Sequence, residues 1–202
     1  MNPTSPRQCI AFSGMHRIAT GTLAQVALEV KRAVDAGQPG AILLFDVHTS
    51  ELIDLDTRGS LDEVASRYAQ APSPAAPVDI EPETDAPPAR GRPKLGVVAR
   101  EVTLLPRHWE WLGGQPGGAS VALRKLVEEA RRANAGQDIV RLSRESSYRF
   151  LSAIASAQAS FEEATRALFA GDRARYQALL KTWPADVRDH ALSLAEASFP
   201  AA

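Results

Sequence analysis

Residues 71–89 read APSPAAPVDIEPETDAPPA, and no regular element can run through them. Six prolines each fix φ and remove a backbone donor, which stops helices and interrupts strand ladders. The stretch has four acids and only two large aliphatic residues, Val78 and Ile80. Such a composition cannot bury enough apolar surface to offset its ordering entropy. It is expected to be a semi-rigid linker. The chain then divides into a small α/β unit (1–70), this linker (71–89), a basic segment (90–135) and a helical region (136–202). The fold class is α+β.

Charge follows the same division. The net charge of −1 over 202 residues is the sum of unequal parts. Residues 1–89 carry −6, residues 90–132 carry +5, and residues 133–202 are neutral. Positive charge gathered on one segment is the footprint of a polyanion binder. The other reading is a basic segment that docks on the acidic half of its own chain. No apolar run has the length of a membrane span, and the N-terminus has no secretory pattern, so a cytoplasmic protein without a membrane partner is expected. Cys9 is the single cysteine, which excludes an internal disulfide and a cysteine-built zinc site.

The N-terminal unit reads as ββαββα. QCIAFSG and HRIATG suggest a hairpin around Ser13–His16, with Cys9 a small core residue. Thr22 and Gln25 form a capping box before a helix with the apolar stripe Leu23, Val26, Ala27, Val30, Val34, which Gly37 would stop. AILLFDV and ELIDLD suggest a second hairpin, and Ser60 with Glu63 a second capping box. Asp46, Glu51, Asp54 and Asp56 crowd that second hairpin. No ligand-spacing motif accompanies them, so solvated carboxylates are expected and no metal or cofactor is assigned. His16 and His48 fall at turns.

Downstream, Ser143 is expected to cap a helix carrying Tyr148, Leu151 and Ile154. Phe161, Ala164 and Leu168 resume the pattern before Gly171, as one long helix or two, Asp172 caps the next helix, and Pro184 suits the first turn of the last. His190 reads as a surface residue. This region is expected to be a docking or oligomerising bundle and is a candidate for a protein partner.

The basic segment holds the chemistry. Arg90-Gly-Arg-Pro-Lys94 resembles an AT-hook: glycine lets the backbone lie deep in a narrow groove, proline holds the arm extended, and arginines enter the minor groove. The resemblance implies an A·T-rich DNA partner, bound by Arg90, Arg92 and Lys94. From Ala99 to Leu104 alternation places Val102 and Leu104 on one face of a strand and Ala99, Glu101 and Thr103 on the other. Pro106 opens a helix of little more than one turn, with Trp109 and Leu112 three apart and with Trp109 and Trp111 expected as core and packing anchors. Gly113, Gly114, Pro116, Gly117 and Gly118 then break the helix, and Gly118, Ala119 or Ser120 caps a second helix with the stripe Leu123, Leu126, Val127, Ala130.

Strand, helix, turn, helix with this little apolar surface cannot form a core alone, but two copies can. The segment from Ala99 to Arg132 resembles a ribbon-helix-helix DNA-binding domain, in which paired strands enter the major groove. That resemblance implies a homodimer, with Ala99, Glu101 and Thr103 facing bases and Gly118 to Ser120 at a phosphate. Arg100 and Arg107 would add backbone contacts, and Glu101 can accept from a cytosine amino group. The order of the whole chain, including RPKLGVVAREVTLLPRHWEWL, also resembles a bacterial protein family of unknown function.

The expected function is a homodimeric DNA-binding protein acting as a transcriptional regulator, and no enzyme is expected. His108 and Glu110 are two apart and do not face each other on a helix, and no phosphate loop, dinucleotide fingerprint or nucleophile motif is present. The alternatives are a dimerisation scaffold without DNA and, more weakly, an enzyme within the N-terminal unit.

Overall fold

The computed structural model describes residues 7–38, 40–69, 98 and 100–199. The chain forms two compact units. One joins residues 1–74 with 136–202, and the other spans 75–135.

The first unit is built on an antiparallel sheet of order β2-β1-β3, with β1 at Gln8–Ser13, β2 at His16–Thr22 and β3 at Ile42–Asp46. β1 and β2 form a tight hairpin, and Gly14 takes the positive φ (55°) the turn demands. The expected second hairpin contracts to one bridge, Phe45 with Leu52. Its remaining ladder contacts are the Ile53 amide to the Leu44 carbonyl and the Asp46 amide to the Glu51 carbonyl.

α1 (Leu23–Asp35) starts on the anticipated capping box, with the Gln25 amide and Thr22 hydroxyl bonded and the Gln25 side chain returning to the Thr22 amide. α2 (Leu61–Ala69) starts on the second box, Ser60 and Glu63. Hydrogen bonds from Ser60 hold the exposed Glu63 carboxyl below its usual range.

β1 is the central strand, and its alternate residues feed two cores. Cys9 and Ala11 join Val26 and Val30 of α1 and Leu44 of β3. Ile10 and Phe12 point the other way and join Phe45 and the C-terminal helices. Burial on both faces accounts for the unbroken apolar run CIAF.

The helical region, read separately from the sequence, is thus half of this unit's core. Phe150 meets Phe12 at 5.3 Å and Phe45 at 5.5 Å between ring centroids. Each buried phenyl ring contributes about 1.5–3 kcal/mol. The helices are α4 (Gly118–Ile154), α5 (Phe161–Ala170), α6 (Arg173–Leu180) and α7 (Ala185–Ala195), followed by a 3-10 turn at Glu196–Ser198.

Three local expectations are corrected here. Ser143 caps nothing: it lies inside the 37-residue α4, where its hydroxyl donates to the Leu194 carbonyl at 2.7 Å and meets the Ser198 hydroxyl. Pro184 precedes α7 as its N-cap residue instead of occupying the first turn. His190 is buried, packed between Phe12 and Phe150. Its Nε2 has no hydrogen-bond partner, and burial, with the Arg17 charge second, pulls its pKa down to about 4.

Asp46 and Asp56, two of the acids around the second hairpin, have structural tasks. Asp46 accepts from the His48 and Thr49 amides and from Arg7 Nε at 2.8 Å. Burial works against its charged form, but the bonds from Thr49, Arg7 and His48 prevail and lower its pKa. Asp56 is gripped by Arg58, which holds it far below the usual carboxylate range. Among the described residues no group of three or more His, Cys, Asp or Glu is placed to hold a metal. No helix among them is long and apolar enough to cross a membrane.

Candidate nucleic-acid interface

The described part of the second unit begins without regular structure. Arg100 to Leu105 form no strand within the chain, against the strand expected from alternation. A strand's backbone donors and acceptors need a ladder partner, and none is supplied among the described residues. Leu105 is nevertheless extended, with φ −66° and ψ 149°.

α3 (Pro106–Gly113) follows with proline in its first turn, as anticipated. The His108 and Trp109 amides bond back to the Leu105 carbonyl. The turn after it closes through the Gln115 amide to the Leu112 carbonyl and the Gly118 amide to the Gln115 carbonyl. Gly117 and Gly118 both take positive φ, 86° and 73°, where an L side chain is strained. A Cβ at Gly117 would also press on Val121 at 3.1 Å. α4 begins at Gly118, so Ser120 lies within its first turn, exposed, its carbonyl taken by Arg124 Nε.

The first half of α4 has two unlike faces. Arg124, Lys125, Glu128, Glu129 and Arg132 line one side with Val121. Leu123, Leu126, Val127 and Ala130 repeat at three and four residues on the other. Within the described unit only Leu112 and Ala122 are buried hydrophobics. Leu126 (44% exposed), Val127 (63%), Trp109 (43%) and Trp111 (55%) face solvent. The expectation that both tryptophans anchor a core is therefore corrected for the single chain: among the described residues both stay largely exposed.

The anticipated DNA-contacting residues are placed as follows. Arg90, Arg92 and Lys94, and with them the arm, lie outside the described residues, as does Ala99. Arg100, Glu101 and Thr103 are exposed in the segment before α3, and Arg107 is exposed on its first turn. Arg100, Glu101 and Thr103 thus precede α3, Arg107 lies on it, and Ser120 is on α4. Arg131 and Arg132 both bond to Glu128, at 2.9 and 3.1 Å, and Arg131 chiefly lowers the Glu128 pKa. Arg124 and Lys125, which are not among the expected contacts, have no carboxylate partner among the described residues. Their signal was a basic pair set off the apolar stripe.

No curated protein matches the chain, and no solved structure does. A family model does match, over residues 8–195, which takes in most of the first unit and all of the second. The chain belongs to DUF2239, a family described as uncharacterized protein conserved in bacteria.

Proposed function

We propose that the protein is a homodimeric DNA-binding protein, acting as a transcriptional regulator, in which residues 100–132 of two copies pair. The observation that supports this most is the apolar surface of α3 and α4, with Trp109, Trp111, Leu126 and Val127 exposed after a segment, residues 100–105, that forms no strand with the described residues. Burying one such side chain contributes about 1.5–3 kcal/mol, and a second copy supplies both the cover and the ladder. In that dimer Glu101 and Thr103 point away from Val102 and Leu104 and meet base edges. Arg100, Arg107 and Ser120 hold phosphates, and Arg90, Arg92 and Lys94 reach the adjacent minor groove.

A second reading, a dimerisation scaffold without DNA, draws on the charge pattern. Arg131 and Arg132 are already paired with Glu128, which leaves fewer cations for phosphate. Light scattering at micromolar concentration tests the shared premise. A dimer that becomes monomeric on Trp111→Ser with Leu126→Ser is expected, and a strict monomer contradicts both readings. A dimer that fails to bind duplex DNA at low salt leaves the scaffold.

A further inference from the structure

Val30 and Leu44 of the smaller core cluster also line a cleft of about 500 Å³ between α1, β3 and residues 52–57. We propose that this cleft binds a small amphiphile with one aliphatic chain and one cationic head group. The volume lies within the range of small-ligand sites, which are lined mainly by apolar side chains with few polar groups. Its walls are aliphatic, and two of them face water: Val34 is 46% exposed and Leu52 58%.

The head group is assigned by charge. Asp54 is the single charged residue lining the cleft, and Thr57 adds a hydroxyl. The other acids of this hairpin are engaged: Asp46 with Arg7, His48 and Thr49, Glu51 with Arg7 at 3.5 Å, and Asp56 with Arg58. Asp54 has neither an ion pair nor a hydrogen bond among the described residues. An ammonium at the end of an alkyl chain would pair with it while the chain covers Val34 and Leu52. A carboxylate head would be repelled. A charge-assisted bond at a site with apolar walls discriminates between those heads. The proposal is independent of DNA binding and can stand or fall without it.

Calorimetric titration of the full chain with n-octylammonium, and separately with octanoate, tests it. Saturable binding of octylammonium is expected, with octanoate weaker by about 10-fold or more. Asp54→Asn, an exchange at an exposed position, should weaken octylammonium by about 5–10-fold and narrow the gap between the two heads. Leu52→Ser should weaken both probes. Absence of saturable octylammonium binding overturns the proposal, and so does equal affinity for the two heads. Unchanged octylammonium affinity in Asp54→Asn overturns it as well. Should that variant lose stability, the preference of the wild-type chain between the two probes decides alone.

Discussion

The Phe150 ring of α4 stands edge-on to the His190 imidazole of α7, with centroids 4.7 Å apart and planes at 85°. Phe12 of β1 lies 5.9 Å away on the same imidazole. His190 thus joins the sheet to two helices as a neutral ring, and a proton would place a charge beside two phenyl groups and near Arg17. Its folded pKa, about 4, is below the ordinary 6.5. The unfolded chain therefore binds the proton first, and stability falls as pH drops from about 6.5 towards 4. The loss should reach at most about 3–4 kcal/mol at 1.36 kcal/mol per pKa unit. Denaturant unfolding followed across that window checks it, with His190→Leu expected to flatten the slope. Asp46, whose folded pKa is lowered, acts below this window, contributing stability above its unfolded value that is lost in stronger acid.

Two glycines separate backbone need from backbone freedom. Gly171 ends α5 at φ 75°, and a Cβ there would come 3.2 Å from Arg144 Nη2. Gly171→Ala should lower stability by about 1–2 kcal/mol. Gly136 lies within α4 with open space around it, so Gly136→Ala should raise stability by about 0.5–1 kcal/mol. Paired thermal melts give both signs, and a stabilised Gly171→Ala would contradict the assignment.

Truncation should distinguish the two units. Phe150→Ala removes a fully buried ring that contacts Phe12, Phe45 and His190, and should cost about 3–5 kcal/mol. Trp111→Ser removes a side chain 55% exposed in one copy. Its effect should appear in the dissociation constant of the dimer, with the far-ultraviolet circular dichroism of the monomer retained.

The local signals were legible, and the long-range ones were not. Thr22 with Gln25 and Ser60 with Glu63 announced α1 and α2 because a capping box is complete within four residues. Pro106 and the glycines after Leu112 likewise bounded α3. Ser143 misled, because a serine hydroxyl that looks free to cap is instead spent on Leu194, fifty-one residues away. His190 misled because an imidazole counts as polar in any helical pattern, while its neutral form packs between rings. The union of β1 with Phe150 is invisible to periodicity, which reports only that each face is apolar. In the second unit, Trp109 and Trp111 were legible as packing anchors, but their exposure in the single chain was not.

The most direct measurement is the anisotropy of a labelled A·T-rich duplex titrated with the full chain at increasing salt. Arg90, Arg92, Lys94, Arg100 and Arg107 from each of two copies would meet phosphates or the minor groove. Binding at about 50 mM salt should weaken by on the order of 10³-fold or more by about 200 mM. Replacing Arg90 and Arg92 by alanine should reduce the A·T preference most, and replacing Thr103 should alter sequence choice more than affinity. No binding at the lower salt, with the chain dimeric, would contradict DNA binding as the function.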